Sequence, residues 1–297
     1  MSKKKRNIIL ENIKLISAGA KGVAIGKTEE GKTVLVSGAV PGDVVNARVK
    51  KAKSKYYEAE AIEIIEKSPY RVEPKCIHFG VCGGCKWQNL SYQKQLDFKQ
   101  EEVYNNFKRI GGIEDFETLP ILGSEQEYFY RNKMEFSFSN ARWLTQYEIS
   151  SEENFGNRDA LGFHIPGMWS KILDLKECFL QESPSNEIRL AVRNFAIENG
   201  LDFFDVRNQE GFLRTLMLRQ NSKGEWMVLF QLYREEKENR ENLFNFILEK
   251  FPQIKTLVFA INPKQNDSIY DLDVQTYFGE GFIYEEMDGL QFKIGPK

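Results

Sequence analysis

The chain has 297 residues, 41% of them hydrophobic and 28% charged, with a formal net charge of −2. That length suggests two or three domains, and the composition is that of a soluble globular protein rather than a disordered, fibrous or disulfide-rich secreted one. No apolar run approaches the roughly 20 residues of a membrane span, and the apolar stretch after the basic start MSKKKRNIIL is too short for a secretory leader.

A cytoplasmic location is therefore expected, where cysteines stay reduced and metal ligation outranks a disulfide framework. The charge is uneven along the chain. Residues 1–75 hold 16 Lys+Arg against 9 Asp+Glu, and the remainder holds 25 against 34. A basic first module ahead of a mildly acidic body is the footprint of a polyanion contact. Chance clustering on a solvated surface is the plainer alternative.

Residues 7–66 read as five short strands: Ile8–Leu15, Gly22–Lys27, Thr33–Val36, Asp43–Val49 and Tyr57–Ile65. Turn signals separate them, including Pro41-Gly42, where proline presets φ and glycine accepts a positive φ at the next position. Five evenly spaced strands in about 60 residues predict a small closed barrel of the OB kind. Lys50, Lys51, Lys53 and Lys55 precede Tyr56 and Tyr57 on one connection. Cations can neutralise phosphates there, and flat rings can stack on bases.

Residues 68–90 form a cysteine-rich loop. Ser91 is the expected N-cap of a helix running to about Ile110, with Leu96, Val103, Phe107 and Ile110 as its apolar stripe and Gly111-Gly112 as its stop. Met134, Phe136 and Phe138 alternate with polar residues, which predicts a half-buried strand. Residues 145–159 lack a period and read as a loop or insertion. Further strands are expected at Leu213–Arg219, Trp226–Tyr233 and Thr256–Ile261, and helices at Pro184–Glu198 and Glu236–Lys250. This order predicts an α+β sheet covered by helices.

The chemistry concentrates in the cysteines. Cys76, Cys82 and Cys85 fall within ten residues, in the pattern Cys-x5-Cys-Gly-Gly-Cys, and Cys178 follows much later. Thiolate is soft and anionic, matching iron in a sulfide cluster or zinc. Gly83 and Gly84 let the backbone turn tightly and can offer N–H groups to sulfur. Zinc competes, because Cys-x2-Cys is a common half-site, although its usual partner pair is missing. A radical site with three cysteine ligands and an open iron is a third reading. Four unrelated buried thiols are a fourth. His78 and His164 do not sit in the clamp positions a Rieske centre needs.

These residues resemble the RNA uracil-5 methyltransferases. The likeness is carried by Cys76-x5-CGGC-x-x-Gln88 with the following SYQKQ segment, and by AGAKGVAIGK, VSGAVPGDVV and KKAKSKYYEAEAIEII upstream. Downstream it is carried by YRNK, LGFHIPGMWSKILDLKECFL, LRTLMLRQ, AINPKQNDSIYDL and YFGEGFIYEEMDGLQFKIGP. The branch resembled is the one whose 23S ribosomal RNA enzyme carries a 4Fe-4S cluster.

The resemblance implies a TRAM domain over 1–67, an OB-like RNA-binding barrel. It also implies an α+β central domain over 68–297, with 68–90 as the cluster loop and about 280–297 as the lead-in to a Rossmann-like methyltransferase domain missing from this chain. Cys76, Cys82, Cys85 and Cys178 would hold the 4Fe-4S cluster, in a structural role, since methyl transfer needs no electron exchange. In the family's reaction a cysteine thiolate adds to C6 of uracil, C5 takes the methyl group of S-adenosylmethionine, and a base removes the C5 proton. On this reading no catalytic residue lies in the chain, and the fragment alone is expected to be inactive. The candidate RNA contacts are Lys50, Lys51, Lys53, Lys55, Arg131 and Lys133. The partner implied is RNA, ribosomal ahead of transfer RNA, bound by a monomer without a membrane. A free-standing RNA-binding module, with iron–sulfur or zinc, is the alternative.

Overall fold

The structure is a computed structural model and describes residues 8–151 and 156–297. The chain divides into two compact units, Met1–Gly80 with Cys85–Glu127, and Val81–Gly84 with Tyr128–Lys297.

The first unit is built on a closed barrel of strands β1 (Ile9–Gly19), β2 (Val23–Lys27), β3 (Thr33–Ser37), β4 (Val44–Ala52) and β5 (Tyr56–Glu66), in the order β1-β2-β3-β5-β4. Only the β3–β5 pair is parallel. Every second residue of β2, β3 and the first half of β4 is buried, so Ala24, Val34, Val36, Val45 and Ala47 form the core with Ile13, Leu15 and Ala59. Small aliphatics suit the narrow interior of a five-stranded barrel. At Gly26 the strands crowd each other. A Cβ there would lie 2.7 Å from both the Lys14 carbonyl oxygen and Ile13 Cγ2, beside the irregular register of β1 between Leu15 and Ser17.

Helix α1 (Tyr92–Asn105) follows the cysteine loop and widens into a π-type turn over Asn106–Ile110. Two details of the expected helix are corrected. Ser91 occupies the N-cap position without making a side-chain cap. Of the expected stripe only Leu96 is buried, while Val103, Phe107 and Ile110 are exposed. The irregular segment that follows α1 covers this face only in part, through Phe116, whose ring lies 5.3 Å from that of Tyr104 and 5.5 Å from that of Phe107.

The second unit holds a seven-stranded sheet in the order β12-β11-β10-β9-β6-β7-β8. Its strands are β6 (Lys133–Ser139), β7 (Ala160–Ile165), β8 (Met168–Asp174), β9 (Leu213–Gln220), β10 (Trp226–Leu232), β11 (Ile254–Ile261) and β12 (Gln275–Phe278). Helix α2 (Gln146–Ser150) interrupts the stretch expected to be a loop, of which residues 152–155 lie outside the described residues. Helices α3 (Ser185–Glu198) and α4 (Lys237–Lys250) meet through stacked Phe195 and Phe246, with ring centroids 4.7 Å apart. Phe244 of α4 packs on Phe230 and Phe259 of the sheet.

A second core cluster gathers Met217, Met227, Leu229 and Val258 with Ile283, which belongs to the hairpin β13 (Ile283–Met287) and β14 (Leu290–Ile294). Strand β10 is thus covered on both faces, and all seven of its residues are buried. Its near-continuous apolar sequence follows from that. Among the described residues no helix is long and apolar enough to cross a membrane.

Candidate nucleic-acid interface and cysteine loop

The β4–β5 hairpin carries the four lysines singled out in the sequence, and cross-strand register sorts them. Lys50 pairs with Glu60 at 2.6 Å and Lys51 with Glu58 at 3.4 Å, so half of the expected cationic patch is internally neutralised. Lys53 and Lys55 sit in the exposed turn, closed by the Lys53 N–H donating to the Tyr56 carbonyl at 2.9 Å, and make no ion pair with any described residue. Tyr57 is not a free stacking surface. It packs on the barrel core, and Lys32 Nζ lies 3.8 Å from its ring centroid.

Lys133 opens β6 in the second unit, and Arg131 lies two residues before it. Lys133 pairs with Glu135 at 2.8 Å, and Arg131 donates its backbone N–H to Leu180 at 2.8 Å. Together with Tyr130, Asn132, Arg219, Gln220 and Ile294 they line an open pocket of about 560 Å3. Arg219 lies directly opposite Lys133 in the β6–β9 register. Burial lowers its pKa, and Nη1 donates to the Gly295 carbonyl at 2.6 Å. Sequence reasoning missed Arg219 and Tyr130, because the cross-strand pairing that adds Arg219 to the pocket is invisible along the chain.

A second pocket of about 370 Å3 is polar and mostly acidic, lined among others by Asp159, Asp202, Asp205, Glu210 and Arg234. Burial raises the Asp159 carboxyl, against a hydrogen bond from Asn157 and the charge of Arg193. No sequence signal pointed to it, since its residues come from four separate segments.

The four cysteines are all half-buried and fall two to each unit, Cys76 and Cys85 in the first, Cys82 and Cys178 in the second. Cys76 donates its N–H to Gln88 Oε1 at 3.2 Å, and its carbonyl accepts from Phe79 at 3.0 Å. The Gly84 N–H points at Cys82 Sγ at 3.4 Å, the backbone-to-sulfur donation expected of this glycine pair. Gly83 rests on the β7–β8 turn, where a Cβ would lie 3.1 Å from Pro166.

Cys178 is held by Asn186, which accepts its N–H and donates to its carbonyl, both at 2.9 Å. Nearby, fully buried Arg189 grips the carbonyls of Leu175 and Lys176. Burial pushes the Arg189 guanidinium down to about 10, opposed by the charges of Asp174 and Cys178. Among the described residues no group of three or more His, Cys, Asp or Glu side chains is arranged to hold a metal ion. The two pairs of cysteines belong to different units, and no chemistry is derived through a cluster. His164 is a strand residue whose Nε2 lies 3.4 Å from Ser137 Oγ.

Comparison with known proteins agrees with the barrel. Residues 13–62, which run from β1 into β5, match the TRAM domain family. A protein of Bacteroides thetaiotaomicron named uncharacterized RNA methyltransferase is 48% identical over 281 residues, covering 94% of this chain and 62% of the relative. One of Porphyromonas gingivalis with the same name is 43% identical over 290 residues, covering 96% of this chain and 62% of the relative. The crystal structure of Pyrococcus abyssi tRNA (uracil-54, C5)-methyltransferase in complex with S-adenosyl-L-homocysteine superposes with a TM-score of 0.63 at 25% identity, over 96% of this chain and 59% of that one. The chain thus spans about three-fifths of the length of the proteins it matches.

These alignments overturn one expectation. The fold class read from sequence included a missing Rossmann-like catalytic domain, and with it an inactive fragment. The likeness to methyltransferases runs along 94–96% of this chain. It lends no support to a domain having been lost, and both statements are withdrawn. The chain carries a TRAM domain and is similar, along nearly all of its own length, to proteins named RNA methyltransferases.

Proposed function

We propose that this protein acts in the S-adenosylmethionine-dependent methylation of uracil C5 in RNA, with residues 1–67 as its RNA-binding module and 68–297 as a central domain. The observation that carries this is the coincidence of a TRAM barrel with a likeness, over 96% of the chain, to a solved enzyme named for uracil C5 methylation. The structural support is the exposed Lys53–Lys55 turn and the pocket at Arg131, Lys133 and Arg219. Cations in these places can hold a phosphate backbone, and exposed Tyr130 offers a ring to a base.

S-adenosylmethionine enters as the methyl donor of the proposed reaction. The three strand-to-helix connections in the second unit, 140–145, 175–184 and 233–236, contain no glycine. They do not fit a close-approach turn for an adenosyl group, and no step is assigned to these residues through it. The assignment of a 4Fe-4S cluster to Cys76, Cys82, Cys85 and Cys178 rests on thiolate chemistry and sequence spacing, not on an assembled geometry. Iron and sulfide analysis of anaerobically purified protein tests it, and a colourless protein containing zinc instead would end it.

The target is taken as ribosomal RNA, and the solved relative's transfer RNA is the competing substrate. Transfer of labelled methyl from S-adenosylmethionine to unmodified ribosomal or transfer RNA transcripts, followed by nucleoside analysis, decides between them. Incorporation as 5-methyluridine supports the reading. RNA binding without incorporation favours a binding module, and no RNA binding overturns the reading altogether.

A further inference from the structure

The β1–β2 turn of the barrel and the end of the cysteine loop meet within the first unit, and the RNA contacts named above include neither. Lys21 and Gly22 make this turn, both in the left-handed region, at φ 63° and 76°. Glycine is needed at the second position for more than its φ. A Cβ on Gly22 would lie 2.5 Å from Lys86 Cβ and 2.9 Å from Lys86 Cγ, so the stem of Lys86 lies directly over the turn.

At Lys21 the same left-handed backbone carries a long side chain. Residues with a Cβ enter this region at a cost, and glycine or asparagine is its ordinary occupant. A lysine kept there places a cation on the turn against the backbone preference. Lys21 and Lys86 are both exposed and make no ion pair with any described residue. Local sequence offers them no counter-charge, because residues 12–28 and 85–96 contain no Asp or Glu. Register brings Glu60 toward this end of the barrel, opposite Ser37, but Glu60 already pairs with Lys50 at 2.6 Å. Glu63 accepts from Asn46 Nδ2 at 2.8 Å.

The turn also has a fixed relation to the Lys53–Lys55 turn. Strand β2 starts at Val23, next to Gly22, and ends at Lys27, which lies opposite Thr33; Thr33 in turn lies opposite Tyr56. At about 3.3 Å per residue, β2 sets the two cationic turns about 13 Å apart along the barrel. Separate cationic points joined by a strand without carboxylates suit a ligand whose negative charges recur along a chain. We propose that Lys21 and Lys86 form a phosphate clamp for single-stranded RNA, through which a strand held at Lys53 and Lys55 reaches the cysteine loop. The inference rests on the RNA reading above and extends it to the other rim of the barrel and to a residue next to Cys85.

The test is fluorescence anisotropy of a fluorescein-labelled, mixed-sequence RNA oligonucleotide with the full chain across a salt series. Lys21→Gly and Lys86→Ser should each reduce the slope of log affinity against log salt by about 0.7, the value for one single-strand phosphate no longer neutralised, and the double variant by about 1.4. Lys21→Gly carries a second readout. It removes the charge and relieves the left-handed backbone together, so its urea midpoint should be no lower than that of the wild type while its RNA affinity falls. Lys14→Ser removes an exposed lysine from the β1–β4 side of the barrel and should leave the slope unchanged.

Unchanged affinity and slope in folded Lys21→Gly/Lys86→Ser overturn the clamp. An equal loss in Lys14→Ser also overturns it, since the effect then belongs to overall charge. Polyglutamate that competes as well as unlabelled RNA of the same length reassigns the turn to an acidic protein. If Lys53→Ser/Lys55→Ser weakens binding while the clamp variants do not, the RNA reading stands and the clamp falls. If the wild-type chain binds no RNA, both fall.

Discussion

Arg71 clasps Asp43 through two parallel bonds, Nε to Oδ1 at 2.8 Å and Nη2 to Oδ2 at 2.7 Å. The carboxylate is fully buried and also accepts the backbone N–H groups of Val40 at 2.8 Å and Ser68 at 2.9 Å. One side chain thereby ties the β3–β4 turn to the chain leaving β5. Fork-shaped, charge-assisted bonding of this kind is among the stronger polar interactions a protein can make.

Asp43→Asn is expected to destabilise the protein by about 3 kcal/mol, because it leaves Arg71 without its counter-charge in a partly buried site. Burial alone would raise the Asp43 carboxyl, but Arg71 and the two N–H donors outweigh it and hold the pKa below the ordinary value. The folded pKa is therefore lower than the unfolded one. The stabilisation is fully present above the unfolded value, near pH 4, and is lost as pH falls through the folded value. Urea midpoints measured against pH should show an acid-side loss in the wild type that is smaller in Asp43→Asn. Parallel acid limbs would refute the assignment.

Arg189 organises the segment that presents Cys178. Removing its fork from the carbonyls of Leu175 and Lys176 leaves two acceptors and a cavity behind, so Arg189→Ala should cost about 3 kcal/mol. Arg189→Lys should recover only part of this, because an ammonium cannot reproduce the planar fork. Thermal melts of the two variants, with a thiol-labelling rate at Cys178 as the local readout, check the ordering.

The hairpin lysines should separate in solution as they do in the structure. Lys53→Ser/Lys55→Ser is expected to reduce the salt slope of RNA binding by about 1.4. Lys50→Ser/Lys51→Ser should change it less, since Glu60 and Glu58 already neutralise that pair. Equal effects from the two double variants would show that the cross-strand ion pairs open on binding.

Gly26→Ala should destabilise the protein by about 2 kcal/mol, because the added Cβ meets a backbone oxygen of β1 that cannot swing aside. A chemical denaturation curve followed by circular dichroism measures it.

The barrel was legible along the chain because its strands are short and its buried positions recur every second residue, as at Val34 and Val36 or Val45 and Ala47. The β6 strand announced itself in the same way through Met134, Phe136 and Phe138. Helix α1 was legible as a helix, but its apolar stripe was not a guide to burial. Periodicity states which residues share a face, and only the neighbouring segments decide whether that face is covered.

Local sequence by itself determined the strand and helix types, the basic character of the first 75 residues and the thiolate-rich loop, all of which depend on near neighbours. The tertiary structure alone decided which lysines keep their charge for a partner, because that depends on glutamates brought across the β4–β5 register. It likewise placed Arg219 opposite Lys133 and divided the four cysteines between two units. Electrostatic and packing energies fall off with distance in space, and distance in space is set by the fold rather than by position along the chain.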